Sequence, residues 1–360
     1  MSVTMIRWTH FVITIALLGS ITPVSAQDRD APGEQAWIKN VRQLTNEAMG
    51  LSKAGEAYFS ADGKRICFQA FPKGKDDYQI YVMNLDGSGL KMVSTGQGAT
   101  TCAYFHPTGR TLLFASNHLD QRPAVMPEAI RKKVEASGQS RYTWPFPPGM
   151  DMFEYDFSTE KLRRLTNAEG YDAEGSYSPD GRQIVFTSMR DGDQEVYISD
   201  ADGKNERRIT RVKGYDGGPF FSPDGKRIVY RSDRDGNGNM QIFTNNLEGT
   251  AEKAITGKDV LHWCPFWHPS GKWLIFTRAD HRGRPNYDLY LLRDDGSRTL
   301  RVTTDTAFDG LPVFSPDGRQ LMWTSKRGGL EGAQVFLADF VGLSPTGELI
   351  GPAAAKRTEH

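Results

Sequence analysis

The chain repeats one arrangement of apolar and polar positions six times. Each copy begins with two or three apolar or aromatic residues, passes through a polar turn of the type Pro-Asp-Gly-Lys/Arg, and continues with alternating apolar residues. In every copy an aliphatic residue lies three positions after the turn glycine and an aromatic residue lies five positions after it. Alternation with a period of two is typical of a strand buried on one face, so each copy predicts a β-hairpin.

The six copies are evenly spaced along the chain. Successive turn glycines lie 44 to 47 residues apart, except for one interval of 72 residues. A fixed period of this size indicates a repeat architecture, and the turn itself suits its residues because proline presets φ and glycine accepts a positive φ. The turn glycines are Gly63, Gly109, Gly181, Gly225, Gly271 and Gly318.

Each hairpin is followed by two further strand patterns separated by another polar turn. Four antiparallel strands in about 45 residues are typical of one blade of a β-propeller. A solenoid of such sheets is the alternative, but six units with matching ends favour a closed ring. Val41–Thr45 reads as a fourth strand that precedes the first hairpin, while the last copy stops after its third strand, Gln334–Phe340. We therefore predict an all-β, six-bladed propeller of four-stranded antiparallel blades, whose N-terminal strand completes the last blade and covers two sheet edges.

The segments outside the repeats divide the rest of the chain. Residues 1–26 are typical of a signal peptide, with Arg7, a short apolar run at 11–19, and small residues before a cleavage site near Ala26. This predicts a periplasmic or secreted protein. Residues 27–37 then form a linker, residues 38–341 the propeller, and residues 342–360, which lack a period, a flexible tail. No later stretch is apolar enough to cross a membrane.

Composition narrows the range of partners. The 44 Lys and Arg residues balance the 44 Asp and Glu residues, so there is no overall basic field for nucleic acid or anionic lipid. Three cysteines cannot all pair within one molecule. Cys102 and Cys264 lie in blades that face each other, but a bridge needs Cα atoms within about 7 Å and is not favoured.

The long interval contains an insertion in blade two, residues 117–149. Its position between the second and third strands places it on the same face as the entrances of the innermost strands, which we call the upper face. Its first half suits a short helix, and its second half is rich in proline and aromatic residues, including Trp144. We predict that this insertion is a lid over the central channel.

The residues just before each innermost strand are the candidate site, because the copies agree in their scaffold residues and differ there. We predict an acid-rich rim that binds a ligand or a divalent cation such as calcium, and no other cofactor. The candidate ligand-binding residues are Glu56, Asp172, Glu174, Asp216, His262 and Asp309, with Trp144, Arg190 and Arg231 around them. The candidate metal ligands among them are Asp172, Glu174, Asp216 and His262. The alternative is structural: the aspartates accept backbone hydrogen bonds at the strand entrances, and His262 is a packed side chain.

The Ser-Pro-Asp-Gly-Lys/Arg turn followed by aliphatic-x-aromatic, as in Ser178–Ser188, resembles the TolB-like, or WD40-like PD40, β-propeller repeats. The resemblance covers about residues 38–341. It implies a periplasmic binding or scaffold protein that engages an envelope protein, peptide or glycan on its upper face. The Tol–Pal partners are not assured, because only a short segment precedes the repeats where TolB has a further domain.

An enzyme is the alternative to a binding protein. Some propeller lyases share this style of repeat, and a lyase or hydrolase would use a divalent metal with His262, Asp172, Glu174 or Asp216 in the funnel. No G-x-S-x-G nucleophile motif is present, and no residue is assigned a catalytic role from the sequence. The non-catalytic function is the favoured prediction.

Overall fold

The computed structural model describes residues 33–120, 146–282 and 285–351. These residues form six four-stranded antiparallel sheets. Each sheet contacts the next one along the chain, and the first contacts the last, which closes the ring. The predicted six-bladed propeller is therefore confirmed. Among the described residues, no helix is both long enough and apolar enough to cross a membrane.

Blades one to five each use four consecutive strands, in the order innermost to outermost. Blade one contains β2 (Leu51–Phe59), β3 (Arg65–Pro72), β4 (Gln79–Asn84) and β5 (Lys91–Met92). Blade two contains β6 (Thr100–Phe105), β7 (Thr111–Ser116), β8 (Asp151–Asp156) and β9 (Lys161–Arg164). Blade three contains β10 (Asp172–Tyr177), β11 (Gln183–Ser188), β12 (Glu195–Asp200) and β13 (Arg207–Arg208). Blade four contains β14 (Asp216–Phe221), β15 (Arg227–Ser232), β16 (Gln241–Asn246) and β17 (Lys253–Ala254). Blade five contains β18 (Leu261–Trp267), β19 (Trp273–Ala279), β20 (Tyr287–Arg293) and β21 (Thr299–Arg301).

Blade six joins the two ends of the repeat region. Its strands are β22 (Asp309–Phe314), β23 (Gln320–Ser325), β24 (Gln334–Phe340) and β1 (Ile38–Gln43). Strand β1 pairs antiparallel with β24, with Ile38 opposite Phe340. The predicted closure by an N-terminal strand is confirmed, although β1 begins and ends earlier than the predicted Val41–Thr45.

The turn between the first two strands of each blade explains why the motif recurs. In blade three, the Ser178 hydroxyl donates to the Asp180 carboxylate at 2.6 Å, and the Arg182 N–H donates to the same carboxylate oxygen at 3.0 Å. Gly181 adopts a φ of 71°, which favours glycine. The strand after the turn buries Ile184 and Phe186 completely between neighbouring blades. The turn therefore sets the register that carries the apolar positions into the core.

Residues 342–351 form a short hairpin that the sequence analysis assigned to a flexible tail. Leu343 pairs with Leu349, and the Gly347 N–H donates to the Ser344 carbonyl at 2.8 Å. The Trp273 indole N–H of blade five donates to the Gly347 carbonyl at 2.9 Å. This part of the predicted tail therefore packs on the propeller, because its Ser-Pro-Thr-Gly sequence makes the same kind of turn as the blades.

Several predicted segments lie outside the described residues. They are the signal peptide and most of the linker, residues 121–145 of the predicted lid with Trp144, and the end of the tail from residue 352 onwards.

Candidate functional site

A β-bulge interrupts the innermost strand of every blade. In each of these strands the register shifts just at the seventh position before the turn glycine. All six residues at this position have a φ between 48° and 58°. They are Glu56, Cys102, Glu174, Gly218, Cys264 and Leu311. Bulges redirect side chains near functional sites, and here six equivalent bulges act around one axis.

The six bulge residues line one cavity, which we call the channel site. The sequence alignment of the copies predicted that these positions line the channel. The space open to the centre of a water molecule is about 20 Å³. Since one water needs at least about 10–15 Å³, this cavity holds one water or one small ion and is too small for a sugar ring.

Glu174 is the most fully bonded acidic group of the channel site. Its carboxylate accepts hydrogen bonds from the Thr187 hydroxyl at 2.9 Å, the Tyr215 hydroxyl at 2.6 Å and the Gly218 N–H at 2.7 Å. Arg231 of blade four also reaches it, with 3.2 Å between Nη2 and Oε1. These partners come from two blades, so Glu174 ties blade three to blade four.

Glu56 of blade one has a different environment. Its carboxylate has only a long contact of 3.4 Å with the Tyr58 hydroxyl and a neighbouring Cys102 thiol. Burial raises the pKa of Glu56 to about 7; the thiol and Arg231 oppose this shift, and Glu174 adds to it. Glu56 therefore changes its charge near neutral pH, and the channel site gains or loses one negative charge with it.

Among the described residues, Arg231 is the one basic side chain that lines the channel site. It occupies the sixth position after the turn glycine, where three other blades have a threonine. Those threonine hydroxyls accept the bulge N–H of the next blade: Thr187 from Gly218, Thr277 from Leu311 and Thr324 from Glu56. In blade four the arginine replaces this hydroxyl, and its guanidinium enters the channel.

Two buried donors near the channel site lack a partner among the described residues. They are Nε of Arg231 and the hydroxyl of Tyr171, which is 1% exposed. Burial raises the pKa of Tyr171, and the neighbouring Glu174, Cys102 and Glu56 add to this shift. Buried donors are normally paired, and an unpaired one points to a bound water or ligand.

Aromatic rings close the channel beneath these polar groups. Tyr58, Tyr104, Phe220 and Phe266 come from four blades, and their ring centroids lie 5.2 to 6.1 Å apart. Edge-to-face and tilted contacts at this spacing are favourable. Because this aromatic layer lies on the side of the turn motifs, the polar part of the channel faces the upper side.

The three predicted rim aspartates do not line the channel site. Each is buried inside its blade and pairs with an arginine nine positions after the turn glycine. The pairs are Asp172–Arg190 at 3.0 Å, Asp216–Arg234 at 3.1 Å and Asp309–Arg327 at 2.6 Å. These residues lie two positions before the bulge and their side chains turn into the sheet, so they stay apart from the channel site, and their role in binding a ligand or a metal stays a prediction. Arg190 belongs to the same structural pairing.

These aspartates and His262 have the properties of packed groups. Burial raises the pKa of Asp216 to about 6, against the effect of Ser232 and Arg234. Burial, together with Arg278, lowers the pKa of His262 to about 4. The His262 ring stacks against Phe276, with 5.6 Å between centroids. His262 is thus a neutral, buried histidine at ordinary pH.

The four candidate metal ligands are not brought together. Asp172 and Asp216 are paired with arginines of separate blades, Glu174 lies in the channel, and His262 packs within blade five. Within the described ranges, no three His, Cys, Asp or Glu side chains form a group that could hold a metal ion. The three cysteines are free thiols, and Cys102 and Cys264 line the channel site.

The described end of the predicted lid lies beside the channel site. Phe146 contacts Tyr171 and Tyr215, with ring centroids 5.2 and 6.0 Å apart. The sequence analysis missed both tyrosines, which come just before the innermost strands of blades three and four. The signal was present, since an aromatic residue precedes Asp172, Asp216 and Asp309.

The fold and the channel site together define a six-bladed propeller with one asymmetric polar channel that faces the upper side. Residues 149–284 match the family model of the TolB beta propeller domain, PD40. The protein TolB homolog of Chlorobium chlorochromatii is 32% identical over 177 residues, which are 48% of this chain and 39% of that protein. The match at residues 149–284 supports the TolB-like PD40 repeats that the turn motif predicts, and the chain spans about two fifths of the length of this relative.

Solved structures share the fold at low identity. TolB from Acinetobacter baumannii is similar with a TM-score of 0.57 and 19% identity, over 77% of this chain and 64% of that one. An oligogalacturonate lyase from Vibrio parahaemolyticus is similar with a TM-score of 0.55 and 15% identity, over 79% of this chain and 76% of that one. At these identities the likeness shows the fold alone.

Proposed function

We propose that this protein is an exported, non-catalytic binding or scaffold protein of the periplasm or cell envelope. It engages a protein, peptide or glycan on its upper face. The observation that carries this proposal is the convergence of the six bulge residues: a symmetric scaffold places its non-repeating side chains at one upper mouth. The aromatic layer blocks the channel beneath them, so a partner approaches from the upper side only.

The channel site is an anchor point within a larger contact surface. Its free space accepts one small group, so most of a partner's contacts are made on the surrounding loops. Arg231 and Tyr171 offer unpaired donors, and Glu56 offers a weakly bonded acceptor. A partner that inserts one polar group between them gains directional hydrogen bonds in a site of low dielectric constant.

The TolB-like repeats make an envelope protein the preferred partner class. The Pal component of the Tol–Pal system is the first candidate to test, and a peptide or an envelope glycan are the others. The chain matches only part of its curated relatives, so the partner is a proposal for this chain in its own right.

Charge reversal on the two faces tests the proposal. One variant reverses three exposed lysines on the upper face: Lys213, Lys258 and Lys326 to Glu. The control reverses three exposed basic residues on the opposite face, which we call the turn face because it carries the Pro-Asp-Gly turns: Lys64, Arg182 and Lys226 to Glu. Both variants change the net charge equally. We expect the affinity for soluble Pal, measured by titration calorimetry, to change at least tenfold only in the upper-face variant. Equal effects in both variants would contradict the proposal.

A second candidate function, an enzyme in the channel, is supported by Glu56. A carboxylic acid with a pKa of about 7 beside an arginine is suited to general acid–base chemistry. The small free volume opposes this function, because a sugar or peptide substrate cannot reach Glu56 without movement of the surrounding loops. The binding function therefore remains the favoured proposal.

Turnover assays separate the two candidates. Wild type, Glu56→Gln and His262→Ala are incubated with oligogalacturonate and with peptide substrates at pH 7. A binding protein shows no turnover above buffer in any of the three. A rate that is present in wild type and lost in Glu56→Gln would support the enzyme and overturn the scaffold proposal.

A further inference from the structure

A second cavity lies on the turn face of blade five, opposite to the channel mouth. It is formed where the hairpin of residues 342–351 meets the blade, and its water-accessible space is about 400 Å³. Lys272 follows the first turn of the blade, while Arg293, Ser297 and Arg298 belong to the turn between β20 and β21. Gly347, Glu348 and Leu349 form the opposite wall.

The lining of this cavity is basic. Among the described residues that line it are three cationic side chains, Lys272, Arg293 and Arg298, and a single carboxylate, that of Glu348. The Glu348 carboxylate pairs with Lys272 at 2.7 Å, and the two arginines are the other cationic groups of the lining. The neighbouring aspartates have partners of their own: Asp294 pairs with Arg227 at 3.0 Å, and Asp295 accepts from the Ser297 N–H at 2.9 Å. Hydrogen bonds from Ser297 and, to a lesser extent, the charge of Arg293 lower the pKa of Asp295.

The two arginines are held at the cavity by the blade. The Arg293 guanidinium lies over the Trp273 ring, 5.0 Å from its centroid. The Arg293 N–H donates to the Arg298 carbonyl at 2.9 Å, so the tight turn keeps both residues at its base. Within residues 33–120, 146–282 and 285–351, the Arg298 side chain has no carboxylate partner within ion-pair distance. Two guanidinium groups on one rigid turn suit an oxyanion with two or more acceptor oxygens.

The hairpin wall is an addition that the ring does not need for closure, since β1 already completes blade six. Its position is fixed by the bond from Trp273 to Gly347 and by close packing at Gly347. This glycine has a φ of 80°, and an added Cβ would overlap the Ser270 side chain. The hairpin thereby converts an open basic turn into a walled cavity, with Leu349 as an apolar surface beside the cations.

We propose that this cavity binds a sugar-sized ligand that carries a phosphate or a carboxylate group. The oxyanion contacts Arg293 and Arg298, and the rest of the ligand lies against Leu349 and the hairpin. Cavities that bind small ligands combine such an apolar wall with a few convergent polar groups. The site is on the face opposite to the proposed partner surface, so it is independent of the proposed function.

Binding to the full chain is measured by ligand-detected NMR and by intrinsic tryptophan fluorescence, to which Trp273 contributes. The probes are glucose 1-phosphate, galacturonate and uncharged glucose. We expect at least one of the two anionic sugars to bind saturably and glucose not to bind. If only glucose 1-phosphate binds, the anion is a phosphate, and if only galacturonate binds, it is a carboxylate.

Two pairs of variants make the test specific. Arg298→Ala is expected to weaken binding by about tenfold or more, whereas Arg319→Ala, at an exposed turn of blade six, leaves it unchanged. Gly347→Ala displaces the wall and weakens binding. Gly351→Ala introduces a similar backbone strain at a φ of 60°, but its added Cβ meets nothing within 4 Å, so it leaves binding unchanged. The proposal is overturned if neither anionic sugar binds, if glucose binds equally well, or if Arg298→Ala retains wild-type affinity with an unchanged melting temperature.

Discussion

Arg231 of blade four lies 3.2 Å from Glu174 of blade three, and both side chains are almost buried in the channel. Each occupies a position at which the residue varies among the six blades. The ion pair therefore has two roles: it holds blades three and four together, and it supplies charged groups to the asymmetric channel site.

Removing the arginine leaves a buried carboxylate without its charged partner. We predict that Arg231→Ala lowers the free energy of unfolding by about 3–5 kcal/mol. Arg227→Ala is the control in the same strand, because its ion pair with Asp294 is partly exposed and is expected to contribute at most about 1 kcal/mol. Urea denaturation measures both. A loss for Arg231→Ala as small as that of the control would show that the channel pair carries no net coupling.

We predict that the titration of Glu56 makes the free energy of unfolding depend on pH. Its pKa is raised to about 7 in the folded protein, above the ordinary value of 4.5 in the unfolded chain. The folded state therefore holds the proton more tightly. The stabilisation is complete below about pH 4.5 and is lost as the pH rises from about 4.5 to about 7, by about 3 kcal/mol in total.

The variant Glu56→Gln isolates this contribution from other titrating groups such as Asp216. We predict that the difference in unfolding free energy between wild type and Glu56→Gln falls steadily between pH 4.5 and 7 and is constant above pH 8. Urea denaturation at five pH values gives the difference curve. A difference that does not vary over this range would contradict the raised pKa of Glu56.

From the contacts of Asp309, we predict that the rim aspartates have a structural and not a metal-binding role. Its carboxylate accepts from the Trp323 indole at 2.9 Å, the Ser325 hydroxyl at 2.6 Å and Arg327 at 2.6 Å. We expect Asp309→Ala to cost about 3–5 kcal/mol of unfolding free energy, because Arg327 then loses one of its buried carboxylate partners. Asp317→Ala, in the exposed turn of the same blade, is expected to cost about 1 kcal/mol.

Calcium distinguishes the two roles of Asp309. With a structural role, the melting temperatures of wild type and Asp309→Ala differ by the same amount in calcium and in EDTA. A difference that disappears in EDTA would instead restore the metal-binding interpretation of the rim.

The repeat pattern was sufficient to predict the blades, their number and the closing strand. The turn motif sets the register of the first two strands in each blade, and the alternation after each turn indicates which side chains are buried. The same alignment predicted that Glu56 and Glu174 line the channel, since the copies differ at their position.

The alignment did not reveal that the side chains of the rim aspartates turn away from the channel, because it cannot show the bulge. Asp309 and Leu311 are two residues apart, and in a regular strand their side chains would lie on the same face. The bulge residue adopts a positive φ, so the two side chains diverge, one into the blade and one into the channel. Three blades have an aspartate at the position of Asp309 and an arginine at the position of Arg327. An acid and a base at matched positions indicate an ion pair, so the alignment did contain the information needed to predict these pairs.

The last prediction concerns the closing strand β1 and compares two variants, one just before this strand and one within it. Trp37 is 1% exposed, and its carbonyl accepts from the Val341 N–H at 2.8 Å, which holds the start of β1 against the end of β24. We expect Trp37→Ala to lower the free energy of unfolding by about 3–5 kcal/mol, because a large cavity is left. Val41→Ala, on the exposed side of the same strand at 42% exposure, is expected to change it by less than about 0.5 kcal/mol. Detachment of β1 exposes the edge of β24, so Trp37→Ala should also form larger species as its concentration increases, measured by light scattering below its melting temperature. A Trp37→Ala protein that stays monomeric and loses no more stability than Val41→Ala would show that β1 is not what holds the ring closed.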